Sequence, residues 1–411
     1  MPRTLVIVII LFPLWVHLAR VLLPRVPKAG VLALGSLAGL FLLTSAAFQP
    51  LTGSRASAQH LAEACLVAYL GLAVVHWGLL RRWAQRGGWR TLASFLFPIL
   101  VLVLVKYLPL AGLFMSRAGF KGGAGTDLLL GISYMAFRLS YLTLEVRNGT
   151  VPPPGIVAYL AFAFFLPTLS VGPINTYANH CTPGEGRSGA FGHALRVLLG
   201  AVKYLFLAVL VNQLTYTGLF LDGHPHAWVD LPIAMASYYV YLYLNFSGYC
   251  DMAIGTAGLV GIRCAENFDN PFAARNVKEF WNRWHITLST YMRDVVFSPL
   301  SKWLVRRVGA TRANHATAAC IMVVFLIVGV WHGVGWNFLL FGLAHGLAVV
   351  ANHYYTLFLK KRLGRERFLA YGKNPLVRWI AVGSTFAYIS ASLFLFANDI
   401  PSMRSIFALL R

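Results

Sequence analysis

The chain has 411 residues, 58% of them hydrophobic and only 12% charged, with a formal net charge of +22. A soluble domain carries about 25% charged residues, so this composition, with a mean hydropathy of +0.65, excludes a soluble globular protein and indicates a polytopic membrane protein. The positive excess does not point to nucleic acid: Lys and Arg collect in short runs between apolar stretches, at 81–86, 263–312 and 360–367, which is the pattern of cytoplasmic loops.

A membrane-spanning helix needs about 20 apolar residues. In chain order that criterion selects roughly 4–23, 30–48, 61–80, 92–115, 154–173, 194–220, 231–248, 316–332, 337–358 and 376–397. The first lacks a small-residue cleavage site directly after it and reads as a membrane helix and not a signal peptide. Two further stretches, 126–146 and 249–262, are apolar but broken by polar residues. The expected fold is therefore an all-α polytopic membrane protein with about ten to twelve transmembrane or re-entrant helices, in one integral membrane domain over 1–411. "NGTVPPPG" (148–155) and "HCTPGEGRSG" (180–189) are turn chemistry. The cysteines (Cys65, Cys181, Cys250, Cys264, Cys320) are scattered without metal-ligand spacing and read as packed thiols; no metal is expected.

Residues 263–300 do not read as a span. They interleave charges such as Arg275, Lys278, Glu279 and Arg283 with Phe268, Phe272, Phe280, Trp281 and Trp284. Polar backbone at membrane depth is tolerated only inside protein or beside water, so this segment is expected to dip into the protein and floor a cavity on the cytoplasmic side. Within it, "FWNRWHITLST" (280–290) places His285 between Trp284 and a run of hydroxyls. The run 316–332 then climbs from the basic residues Arg306, Arg307 and Arg312, breaks at "HGVGWN", and returns through 337–358 to the basic 360–367. Both ends of this hairpin are cytoplasmic by charge, which puts His332 at its far end. Two histidines approaching one pathway from different depths suit a reaction conducted across a membrane.

The stretch 245–300, beginning "NFSGYCDMAIG", with "GVWHGVGWNFLLFGLAHGL" after it, resembles the membrane-bound O-acyltransferase (MBOAT) family. It is most similar to the bacterial branch that holds the alginate O-acetyltransferase and the D-alanyl transfer protein of teichoic acid synthesis. "GISYMAFRLSYLTLEV" (131–146), "PTLSVGPI" (167–174) and "LFLFANDIPSM" (393–403) support it, and the likeness runs from about residue 125 to the end. The resemblance implies a horseshoe of helices around a central tunnel, a cytoplasmic donor entrance, an outer acceptor entrance, and two functional histidines, here His332 and His285. It also implies the bacterial cytoplasmic (inner) membrane and a part in building the cell envelope, through O-acetylation of a polysaccharide.

The chemistry suits those residues in its own right. Acyl transfer from a thioester to a hydroxyl needs a base for the hydroxyl proton, and histidine is the usual choice; neither a metal nor a bound cofactor is required. His332 is the expected base, and His285 is expected to position the donor beside Asn282 and Trp281. Trp331, Trp336 and Asn337 are candidate donors to the oxyanion, together with backbone N–H groups near Gly333 and Gly335. Asp251, a carboxylate in an apolar stretch, is a functional group or a helix anchor. Tyr249 and Asn245 are candidate tunnel residues. Arg138 and Glu145, seven residues apart, share a helix face and read as structural pairing with neighbouring helices; His345 and His353 read as packing.

The expected donor is acetyl-CoA or a phosphopantetheinyl carrier protein, and the expected acceptor an extracytoplasmic glycan or a secreted SGNH/esterase-like partner. Acetyl transfer is favoured by the Arg-, Ala- and Leu-rich composition, D-alanyl transfer to a teichoic-acid-like polymer by the modest length and "FWNRWH". A lipid-linked saccharide transporter or flippase is the alternative of another class, but inverted repeats, common in transporters, are not detectable.

Overall fold

The computed structural model describes residues 2–107, 131–184, 189–220 and 224–410. Among these the chain is helical, with three isolated β-bridges and no strand. Seven helices are long and apolar enough to cross a membrane: Thr4–Leu22, Lys28–Pro50, Arg55–Trp83, Gly88–Tyr107, Gly189–Asn212, Ala310–His332 and Pro375–Ala397. The protein is an all-α integral membrane protein. Residues 108–115 of one expected span, 126–130 of one broken stretch and 185–188 of an expected turn lie outside the described residues. The chain divides into two compact units, residues 1–201 with 249–265, and 202–248 with 266–411.

In the first unit α1 (Pro2–Leu22), α2 (Lys28–Thr52), α3 (Arg55–Trp83) and α4 (Gly88–Tyr107) precede α5 (Ile132–Arg147), α6 (Ile156–Ala163), the single turn α7 (Tyr177–Cys181) and α8 (Gly189–Val202). Apolar helices in lipid gain nothing from hiding apolar surface, so polar clasps and close packing hold them. His76 of α3 is fully buried and bonds the Tyr159 hydroxyl at 2.9 Å and Thr143 at 3.3 Å, tying α3 to α6 and α5. Arg138 and Glu145, on one face of α5, make the expected structural pairings. Arg138 donates to the Ala163 carbonyl and to Thr168, both at 3.0 Å. Glu145 accepts the first N–H groups of α7, from Tyr177 and Ala178, at 2.9 and 3.0 Å.

The expected span 154–173 is not a continuous helix. α6 stops after eight residues and gives way to a tight turn at Leu166–Thr168. Pro167 has no N–H to carry a helix on, and the Ala163 carbonyl freed at the helix end is the one Arg138 takes. Conversely, the expected span 231–248 and the broken stretch 249–262 are one helix, Asp230–Leu259. Its last turns belong to the first unit, where Gly255 and Gly258 give α8 a seat: a β-carbon on Gly255 would meet the His193 carbonyl oxygen at 2.7 Å.

The second unit holds α9 (Ala208–Asn212), α10 (Tyr216–Leu219), most of α11 (Asp230–Leu259), α12 (Val277–Arg283), α13 (Ile286–Met292), α14 (Ser298–Val308), α15 (Ala313–His332), α16 (Trp336–Lys373), α17 (Pro375–Ala397) and α18 (Ile400–Leu409). As the mixed composition predicts, 266–300 folds into short helices, not a span. Its aromatic residues point inward: Tyr239 of α11 packs on Phe272, Phe280 and Trp284, with ring centroids 4.9 to 6.0 Å apart. Its charges pair among themselves, Glu279 with Arg275 at 2.9 Å and with Arg283 at 3.0 Å, and Arg283 with Asp269 at 3.4 Å. The hairpin expected from the charges is α15 and α16. Their backbones close on each other at Gly329 and Gly342, where a β-carbon on Gly329 would lie 2.5 Å from the Phe338 carbonyl oxygen. At the basic end His315 bonds the Tyr354 hydroxyl.

Candidate active site

His285 owes its position to a break between two short helices. Asn276 starts α12 by accepting the Glu279 N–H at 2.8 Å, a side-chain cap. The helix ends at Trp284, whose backbone is extended, and His285 then takes φ 44° and ψ 51° before α13 begins. This left-handed conformation is uncommon for a residue with a β-carbon. The first N–H groups of a helix have no acceptor within it, and here Asn267 supplies both. Its backbone carbonyl accepts from Ile286 at 3.0 Å. Its side-chain Oδ1 accepts from the Thr287 N–H at 3.2 Å and the Thr287 hydroxyl at 2.8 Å. Nδ1 of His285 lies 3.1 Å from the same Oδ1. Burial first, and then the charge His332 would carry, hold the His285 imidazole below the ordinary histidine range.

His332 is the last residue of α15, in a cage of aromatic rings. Trp331 lies 4.6 Å from it, Phe396 4.9 Å, Phe341 6.0 Å and Phe338 6.4 Å, centroid to centroid. The His285 ring is 6.4 Å from the same Trp331 and 4.8 Å from Phe246. The two histidines thus flank one indole. Segment 266–300 reaches the far end of the hairpin, with its aromatic face buried among α11, α15 and α16.

A cavity of about 480 Å³ lies against α12, α13 and α15; His285, Trp331 and His332 are not among the residues that line it. Trp281 and Asn282 line it with Ser289 and Thr290, Val328 of α15 forms part of its apolar wall, and Lys278 and Arg293 supply positive charge.

The remaining candidates divide. Asn337 is buried at the start of α16, whereas Trp336 is 70% exposed and stands outside the cage around His332. Asn245 is half-buried on α11. Tyr249 and Asp251 fall in the other unit. Tyr249 shares a hydrogen bond of 2.9 Å with Ser170, and Asp251 accepts from Arg196 of α8 at 3.0 Å, the anchor reading of that carboxylate. His345, read as packing, is fully buried and bonded to Trp281 and Ser392. Sequence reasoning passed over Asn267 and Phe246. The signal for Asn267 was weak, one of two amides in "ENFDNPF", and it is 1% exposed once folded.

Residues 77–394 match the family model described as MBOAT, membrane-bound O-acyltransferase family. This begins well before the stretch whose motifs carried the resemblance. The chain is 30% identical to the teichoic acid D-alanyltransferase of Streptococcus thermophilus over 333 residues, 75% of each chain. It is 29% identical to a probable alginate O-acetylase of Azotobacter vinelandii over 68% of this chain and 56% of that protein. To the peptidoglycan O-acetyltransferase of Helicobacter pylori it is 33% identical, over 48% of this chain and 37% of that one.

Proposed function

The chain belongs to the membrane-bound O-acyltransferase family and is an O-acyltransferase, and from that premise we propose that it carries an acetyl group from a cytoplasmic thioester to a hydroxyl outside the bacterial cytoplasmic membrane. The observation that carries this reading is the pair His285 and His332 on either side of Trp331; the cavity with positive charge and an apolar wall is lined by Ile286, next in sequence to His285, and by Val328, one turn before His332 on α15. The donor, acetyl-CoA or a phosphopantetheinyl carrier protein, enters that cavity with its anionic part toward Lys278 and Arg293. The acceptor hydroxyl belongs to an extracytoplasmic glycan or to a secreted SGNH/esterase-like partner protein.

In the transfer step the acceptor oxygen attacks the thioester carbonyl while Nε2 or Nδ1 of His332 takes its proton. The tetrahedral intermediate then collapses, the carbon–sulfur bond breaks, and the imidazolium returns the proton to the departing thiolate. A thioester is activated already, so these residues need only position the groups and move one proton. The Trp331 indole, Asn337 and the backbone N–H groups at the hairpin break are the candidate oxyanion donors around His332.

A second reading, D-alanyl transfer from a carrier protein to a teichoic-acid-like polymer or a partner, is favoured by the D-alanyltransferase of S. thermophilus, which aligns over 75% of both chains. One experiment separates them. Cells lacking the gene are complemented with wild type or His332→Ala, and the ester-linked groups on the cell surface are released with mild base and identified. Acetate from the wild type alone supports the first reading, and D-alanine the second. Identical ester content with both genes refutes the assignment of His332 as the base.

A further inference from the structure

Hydrogen-bond direction around Asn267 can be read without seeing a hydrogen, because one of its partners has only one role. The backbone N–H of Thr287 is a donor, and it lies 3.2 Å from Oδ1 of Asn267. Turning the amide over would set its NH2 group against that N–H, two donors facing each other at a helix start where the N–H has no other acceptor in its helix. The atom facing Thr287 is therefore the carbonyl oxygen. The same oxygen faces Nδ1 of His285 at 3.1 Å. An amide oxygen only accepts, so Nδ1 must carry a hydrogen.

We propose that Asn267 is a positioning residue that holds neutral His285 as its Nδ1–H tautomer, which leaves Nε2 the lone-pair nitrogen of the ring. This rests on the acyltransferase reading of the site and sharpens it. A neutral His285 of this tautomer does not donate to the tetrahedral oxyanion through Nε2; it can only accept a hydrogen bond there, the proton of the acceptor hydroxyl going to His332. The rest of the local geometry enforces the same orientation. The left-handed backbone of His285 sets the start of α13, and the Thr287 hydroxyl, 2.8 Å from Oδ1, adds a further donor that fixes the amide. Trp331 and Phe246 pack against the imidazole and limit its rotation. Partners of this kind, one bond removed from the chemistry, commonly decide a histidine's tautomer.

The test reads the tautomer directly. The full chain, labelled with 15N-histidine and reconstituted in phospholipid vesicles, is examined by solid-state NMR, with the His285 signals identified by their loss in His285→Gln. The expected result is a protonated Nδ1 and an unprotonated Nε2. A protonated Nε2 in the wild type overturns the proposal, whatever the variants do. Asn267→Asp keeps an acceptor at this point and is expected to hold turnover within about tenfold. Asn267→Leu removes it and is expected to cost about 10²- to 10⁴-fold in turnover, the range for a general base or a histidine of the wrong tautomer. A folded Asn267→Leu protein with full turnover also overturns the proposal; should that variant not fold, the wild-type spectrum decides. A wild type with the expected tautomer that transfers no acyl group leaves this assignment standing and removes the acyltransferase reading instead.

Discussion

The indole N–H of Trp281 donates to Nδ1 of His345 across 3.1 Å. An indole nitrogen only donates, so Nδ1 of His345 is an acceptor and its hydrogen sits on Nε2, which faces Ser392 Oγ at 2.9 Å. Ser392 in turn donates to the Ile389 carbonyl at 2.9 Å. Every polar atom of this imidazole is committed to holding α12, α16 and α17 together. His345→Leu should therefore act on stability, at about 1–3 kcal/mol for each buried group left unmet. Thermal unfolding in detergent should show the loss, while turnover per folded molecule stays near wild type. A large fall in turnover without a change in melting temperature would move His345 into the chemistry.

The position of His332 depends on how closely α15 and α16 meet. A β-carbon on Gly329 would lie 2.5 Å from the Phe338 carbonyl oxygen and 3.2 Å from the α-carbon of Gly342. Backbone cannot swing aside as a side chain can, so Gly329→Ala should spread the hairpin. Overpacking of this kind costs about 1–3 kcal/mol. It should lower both the melting temperature and transfer, since His332 stands one turn farther along α15. Gly71→Ala, in a glycine with open space around it, is the control and should change neither.

Asp251 pairs with Arg196 where α8 lies on Gly255. The pair is partly exposed, so its loss should cost less than the 3–5 kcal/mol of a fully buried one; about 1–2 kcal/mol is expected. Asp251→Asn should thus lower the melting temperature modestly and leave the turnover of the folded protein intact. A turnover loss of more than about tenfold in folded Asp251→Asn protein would give the carboxylate a part in transfer.

Glu279 links stability to pH. Burial raises its carboxyl, but hydrogen bonds from Arg275 and Arg283 outweigh burial and hold it below its ordinary value of 4.5. A carboxyl lowered in the folded state contributes stability in full above its unfolded value and loses it as pH falls through the folded one. Between about pH 5 and about pH 3 the wild type should therefore lose melting temperature more steeply than Glu279→Gln. Parallel curves would show that the pairs with Arg275 and Arg283 contribute nothing measurable.

Charge places the hairpin ends. Cysteines at Arg307 and Arg365 should be labelled by an impermeant maleimide only in inside-out vesicles. A cysteine at Ala227, exposed in a stretch without Lys or Arg, should be labelled only in intact spheroplasts. The opposite pattern would reverse the membrane orientation of His332. α15 has 20 residues, about 30 Å of helix, enough to cross the hydrocarbon core.

What the sequence determined by itself was whatever depends on local composition. Apolar length identified α1 to α4, α15 and α17, since lipid admits only backbone that satisfies its own hydrogen bonds. The mixture of charge and aromatic residues at 263–300 was enough to deny that segment a span, and the break at "HGVGWN" marked the turn of the hairpin. His332 and His285 stood out because each is a titratable group in an otherwise oily context. Tertiary structure decided what depends on a partner distant in the chain. It ended α6 early, because Arg138 and Pro167 act on a carbonyl and a turn that hydropathy does not register. It carried α11 through polar residues, because glycines and Arg196 met them there. It gave His345, already read as packing, its partners Trp281 and Ser392, and drew Asn267 to His285, since an amide 18 residues away becomes a helix cap only when the loop between folds back. Hydropathy is a sum over neighbours in sequence; a hydrogen bond's direction belongs to neighbours in space, and that direction set the chemistry each histidine can offer.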